Sequence, residues 1–193
     1  ELTVWEREFL SGWWGATFST DVTFPSEEEL SNYSGMAVEL LRGCPDCGLF
    51  DGGATEIECG ETINYSDAGC DDYDRIARMY ICDESGENCY EGARWITPFA
   101  RQPHHLTDIS PLISLIKPGG NKTIKLQESG WPNSLITLKF RFYHNTDNSI
   151  TPQEFIPIWN GTVQFNPDYN DNRPPTPFII PENAEKVEFV SLI

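Results

Sequence analysis

Residues Leu135 to His144 (LITLKFRFYH) alternate apolar and polar side chains. That period of two puts one set of side chains on each face of an extended strand. The pattern recurs along the chain. Leu2 to Phe9, Gly15 to Phe24 (GATFSTDVTF), Asp72 to Cys82 (DYDRIARMYIC) and Thr123 to Glu128 share it. Gly35 to Leu41 (GMAVELL) is more densely apolar, as an inner strand should be. Cys89 to Phe99, Phe155 to Phe165, Pro177 to Ile180 and Lys186 to Ile193 complete the expected strands. No long helical period and no solenoid repeat interrupts them. Eight or more short strands between turn residues predict an all-β chain, an antiparallel two-sheet sandwich of jelly-roll type. One or two short helical turns are expected within it. Ser26 precedes Glu27, Glu28 and Glu29 as an N-cap before an acidic first turn. Asp108 to Lys117 carries apolar residues at 109, 112, 113 and 116, which is helical spacing.

The 193 residues suit a single domain spanning 1–193, with enough chain to bury a core. The stretch from about 44 to 71 reads as a Cys-rich insertion, since a structureless loop of that length needs cross-links to hold it. Six cysteines stand at 44, 47, 59, 70, 82 and 89. Cys44 and Cys47 have zinc-ligand spacing, but no second such pair follows and the three histidines are distant. Disulfides are the better reading, which implies an oxidising compartment. Cys82 and Cys89 would close a hairpin through the Ser85-Gly86 turn. Sequons at Asn32, Asn64, Asn121 and Asn160 point to the secretory route and to N-glycosylation, hence an extracellular or cell-surface location. The chain begins at Glu1 without a Met and is read as processed or partial.

Thirteen basic against thirty acidic residues give a net charge of −17, which argues against nucleic acid as a partner. No apolar run approaches the length of a membrane span. The P-loop, dinucleotide and nucleophile-elbow motifs are absent. His104 and His105 are adjacent on an expected strand and so point to opposite faces, which does not serve one metal. Asp168-Tyr-Asn170-Asp171-Asn172 and Asn145-Thr-Asp147-Asn148 offer oxygen ligands, but without the spacing of a calcium loop. No metal or cofactor is expected. Asp71-Asp72-Tyr73-Asp74-Arg75 crowds carboxylates at a strand entrance, where like charges disfavour ionisation and Arg75 opposes that effect. Glu128 stands before Ser129-Gly130-Trp131. Acids beside aromatic rings are the composition of a sugar-binding or glycan-processing site.

Four motifs carry a family resemblance. They are Cys70-Asp-Asp-Tyr-Asp-Arg75, Gly92-Ala-Arg-Trp-Ile-Thr-Pro-Phe99, Leu106-Thr-Asp-Ile109 and Leu126-Gln-Glu-Ser-Gly-Trp131. In order and spacing, Cys70 to Tyr143 resembles the N-terminal domain of the peptide-N-glycosidase F family. A weaker likeness covers Val38 to Cys44 and Phe155 to Ile193. The resemblance implies a jelly roll, one of a pair in that family. It implies Asp74 as the catalytic carboxylate that activates water and Glu128 as the acid that holds core sugars. Tyr73, Arg75 and Trp131 would be the substrate-binding neighbours. It also implies a Cys44–Cys70 disulfide, with Cys47–Cys59 then nested inside the insertion. The reaction implied is hydrolysis of the amide joining an N-glycan to asparagine.

The family site lies between two jelly rolls, and residues up to Ile193 are expected to lead toward a second domain. Half of a two-domain site, together with the sequons, favours a non-enzymatic, N-glycosylated structural or assembly module. A glycan amidase or a non-catalytic glycan-binding module is the alternative, and N-linked glycans are expected partners. Both chain ends read as apolar strands, which invites self-association or pairing with a neighbouring domain by strand addition, as far as fibres.

Overall fold

The computed structural model describes residues 1–43, 73–98, 102–129, 133–144, 151–161 and 163–191. Eight strands form two four-stranded antiparallel sheets, the arrangement of a jelly-roll sandwich. They are β1 (Leu2–Ser11), β2 (Thr17–Phe24), β3 (Gly35–Gly43), β4 (Arg75–Cys82), β5 (Cys89–Thr97), β6 (His104–Asp108), β7 (Gly120–Glu128) and β8 (Asn133–Tyr143). One sheet runs β1-β8-β3-β6 and the other β2-β7-β4-β5.

Period-two alternation sets which residues meet between the sheets. Met36, Val38 and Leu40 of β3 face inward with Ile136, Leu138 and Phe140 of β8. Ala77, Met79 and Ile81 of β4 join Ile124 and Leu126 of β7 on the opposing inner face. Phe24 and Phe140 meet edge to face across the core, with centroids 5.2 Å apart. β3 is buried along its whole length, as its dense apolar composition requires.

Both expected helical turns are present. α1 (Glu27–Leu30) is closed by a capping box: the Glu29 amide donates to the Ser26 hydroxyl and the Glu29 carboxylate accepts from the Ser26 amide. A 3₁₀ turn (Ser110–Leu112) runs into α2 (Ile113–Ile116). Ile109, Leu112, Ile113 and Ile116, the four residues at helical spacing, are all buried there.

The C-terminal third departs from the expected pattern. Among the described residues of 151–191 there is no strand, and a short helical turn, α3 (Tyr169–Asn172), forms. Seven prolines between 152 and 181 remove ladder donors and fix φ, so apolar alternation there cannot build a sheet. The start of this segment lies along β5. Phe155 meets Tyr90 edge to face at 5.2 Å, and the Asn160 amide donates to the Cys89 carbonyl at 2.7 Å. At the N-terminus, β1 pairs with β8 of its own chain and forms the edge of its sheet.

Candidate functional site

Tyr73, Asp74, Arg75 and Glu128 lie at one end of the sandwich, where β4 begins and β5 and β7 finish. Their backbone is anchored by neighbouring strands. The Arg75 amide donates to the Thr97 hydroxyl at 2.8 Å, and Thr97 is almost wholly buried. The Ile76 amide donates to the Ser129 hydroxyl at 2.9 Å, and the Ser129 amide donates back to the Ile76 carbonyl at 2.9 Å. Arg75 and Ile76 are thereby tied to both flanking strands.

Tyr73 and Asp74 are exposed. The Arg75 guanidinium lies 5.0 Å from the Tyr73 ring centroid and 4.9 Å from that of Trp14, on the β1–β2 connection. Each such cation–π contact is worth about 0.5–1 kcal/mol at an exposed position. Arg75 thus lies against both rings.

Glu128 has a different environment. It is in register with Ala77, a core residue, so its side chain enters the space between the sheets. Arg42 reaches it from β3 of the opposite sheet. Arg42 Nε donates to Oε1 at 3.0 Å and Nη2 to Oε2 at 3.2 Å, and each residue is only 2% exposed. Both carboxylate oxygens are occupied by one guanidinium fork inside the core. Sequence reasoning missed Arg42. The signal was its parity with Met36, Val38 and Leu40, which puts position 42 on the inner face. Glu128 shares parity with Ile124 and Leu126 for the same reason.

Asp71, Asp72, Trp131 and the sequon residue Asn64 lie outside the described residues, as do Cys44, Cys47, Cys59 and Cys70 with their two expected disulfides. The third pairing is present: Cys82 and Cys89 are disulfide-bonded. Asn32, Asn121 and Asn160 are exposed.

The two histidines of β6 divide as expected. His104 Nε2 lies 2.7 Å from Glu39 Oε1, and Arg141 bonds the other oxygen of the same carboxylate. Burial works against the charge on Glu39, and the Arg141 and His104 bonds outweigh it, so its carboxyl is held below the usual range. His105 instead stacks on Trp95, with centroids 6.2 Å apart. Burial, with the neighbouring His104, lowers its imidazole below the ordinary value. Among the described residues, no three His, Cys, Asp or Glu side chains gather as a metal site. A groove of about 620 Å³ between β1 and β2, lined by Trp5, Leu10 and Phe18, contains none of the expected site residues.

No family model and no curated protein matches this chain. Solved structures do. A peptide-N(4)-(N-acetyl-β-D-glucosaminyl) asparagine amidase matches with a TM-score of 0.53 and 19% identity, over 76% of this chain. The fold is that of peptide-N-glycosidase F. Recombinant peptide:N-glycanase F aligns with a TM-score of 0.54 at 18% identity, and PNGase F from Flavobacterium meningosepticum, described as a glycosylasparaginase, with 0.54 at 19%. The alignment spans 42% of the length of each. At such identities the peptide-N-glycosidase F likeness is one of fold.

Proposed function

We propose that this chain is an extracellular glycan-binding jelly roll that engages N-glycans at Tyr73, Asp74 and Arg75 without hydrolysing them by itself. The observation that carries the reading is the contrast between the two acids. Asp74 is exposed and stands in sequence between Tyr73 and Arg75, whose guanidinium meets the Tyr73 and Trp14 rings, whereas both oxygens of Glu128 are held by Arg42 in the core. Glu128 in that state positions the sheet end and does not touch sugar. Amide hydrolysis needs a base for water and preorganised donors for the developing oxyanion. An exposed Asp74 supplies at most the first. The solved structures sharing the fold are named as an N-acetylglucosaminyl asparagine amidase, an N-glycanase and a glycosylasparaginase, and a glycan ligand is consistent with those names. Three exposed sequons and the Cys82–Cys89 bridge support a secreted, N-glycosylated protein.

Calorimetric titration with an N-glycopeptide tests this. Saturable binding that Asp74→Ala and Tyr73→Ala weaken, with the glycopeptide recovered intact, is the expected result. Glycan release that Asp74→Ala abolishes would make the chain an amidase.

A second reading, assembly, rests on the C-terminal segment. Ile179, Ile180, Phe189 and Val190 are at least half exposed and belong to no ladder. Such a segment would pair with a neighbouring domain or subunit, up to fibres. Light scattering of the chain and of a version ending at 176 distinguishes this reading: a monomeric mass for both removes it.

A further inference from the structure

We infer that the outer face of the β2-β7-β4-β5 sheet binds an acidic sugar, a pyranose carrying a carboxylate, through Arg78 with Tyr80 and Gln127. None of these residues takes part in the Tyr73–Asp74–Arg75 reading.

Strand parity fixes what stands on this face. Ala77, Met79 and Ile81 of β4 point into the core, so Arg78 and Tyr80 point out. Ile124 and Leu126 of β7 point in, so Lys125 and Gln127 point out. Arg78 is in register with Arg94 on one side and Gln127 on the other, and Tyr80 with Glu91 and Lys125. In these two rows three cations face one carboxylate, in a chain that carries −17. Two arginines directly opposite one another repel. Glu91 relieves only one of them: Arg94 Nε and Nη2 donate to its two oxygens at 2.6 and 2.8 Å. Arg78 Nε stands 4.0 Å from Glu91 Oε1, beyond hydrogen-bond reach, and is buried without a hydrogen-bond partner. With Nε sealed, the Nη1–Nη2 end of Arg78 is what a ligand can meet. The Arg78 side chain is 15% exposed, so it is already held down on the sheet and loses little entropy on binding. Lys125 donates to the Gly86 carbonyl at 2.7 Å, which leaves its charge uncompensated. Burial, with Glu91 beside it, raises the Tyr80 phenol above its ordinary value, so the hydroxyl keeps its proton to donate.

The surroundings select the ligand. Two N–H groups side by side match the two oxygens of a carboxylate. Glu91 in the same rows disfavours a polyanion, and the net charge of −17 adds to that. β4 is hydrogen-bonded to β7 and β5 on its two sides, so a peptide finds no backbone here to pair with. The neighbours of Arg78 toward the sheet edge are neutral and polar instead: Gln127, then Thr17, with Ser19 in the next row. Such groups donate to and accept from sugar hydroxyls. Strands lie about 4.8 Å apart, so Arg78 to Thr17 is roughly 10 Å, about the span of a disaccharide.

The test is an NMR titration of the full chain with four probes: sialyllactose, lactose, inorganic phosphate and a capped tripeptide with a central glutamate. Sialyllactose should give saturable shifts at the amides of Arg78, Tyr80, Arg94 and Gln127, and the other three should bind far more weakly. Arg78→Gln should weaken sialyllactose at least about tenfold, and Arg78→Lys, which keeps the charge without the fork, should recover only part. Arg78→Gln removes a like-charge contact, so it should melt no lower than wild type, which separates lost binding from lost fold. Wild-type affinity in Arg78→Gln, or no saturable shift with sialyllactose, overturns the proposal. So do shifts centred on residues 73–75, which place the ligand at the other site. Lactose as tight as sialyllactose removes the carboxylate from the recognition, and phosphate as tight removes the sugar. Tighter binding of the glutamate peptide replaces the sugar with an acidic protein partner.

Discussion

Removing one member of the Arg42–Glu128 pair should destabilise the domain far more than removing both. Each residue is 2% exposed, and two hydrogen bonds of 3.0 and 3.2 Å link the sheets through this fork. In Glu128→Leu the guanidinium stays in the core with no counter-charge, and in Arg42→Met the carboxylate does. Breaking a buried pair in this way costs about 3–5 kcal/mol. For a chain of this size each kcal/mol moves Tm by roughly 2–4 °C, so the single variants should melt roughly 6–20 °C lower. The double variant Arg42→Met/Glu128→Leu leaves no orphaned charge and replaces it with apolar volume, so it should recover most of the loss or exceed wild type. Urea and thermal unfolding of the four proteins measure the cycle. Single variants within 1 kcal/mol of wild type would refute a buried, fully engaged Glu128. So would a double variant as weak as the sum of the two.

The Cys82–Cys89 bridge closes a separation of seven residues, and chain entropy gives about 2.5 kcal/mol for such a loop. Cys82→Ser/Cys89→Ser should lose about that much in urea unfolding. Burial lowers the imidazole of His105, so as pH falls below the ordinary 6.5 the unfolded chain takes up a proton before the folded one does. Stability should therefore fall in that window, and His105→Phe should flatten the fall when Tm is followed against pH. Asp83 is held at about 2 by hydrogen bonds from Ser85 and Asn88. Its contribution is present above the ordinary 3.8 and disappears as pH falls through 2, so Asp83→Asn should lower Tm at pH 7 and leave it unchanged near pH 2. Thr97→Val removes the acceptor for the Arg75 amide. It should weaken glycan binding and speed hydrogen exchange at residue 75 without lowering exchange protection in β8.

The sandwich was readable from the sequence wherever one face of a strand is buried and the other wet. β2, β7 and β8 show that alternation directly, and β3 shows the dense apolar run of a central strand. Ser26 with Glu29, and the spacing of Ile109, Leu112, Ile113 and Ile116, specified the helical turns through local chemistry. In the C-terminal third, prolines break the strands that apolar alternation suggests. Phe178, Ile179 and Ile180 have strand-forming side chains but stand between Pro177 and Pro181, neither of which has an N–H to give a ladder. At the site, the Tyr73–Asp74–Arg75 run was visible as a motif. Residue type alone made Glu128 a second site acid, whereas its parity with Ile124 and Leu126 already aimed it inward at Arg42. Trp14, whose ring meets Arg75, escaped notice because two aromatics between glycines read equally well as core or surface. Only the course of the turn distinguishes those.

The most direct measurement is an NMR titration of the isotope-labelled chain with an intact N-glycopeptide, following backbone amides and tryptophan indole signals together with the glycopeptide itself. The account predicts saturable shifts concentrated at residues 73–75, small shifts at Glu128, and an unchanged glycopeptide spectrum over days. Shifts centred on another face, or conversion of the glycosylated asparagine to aspartate during the titration, would contradict it.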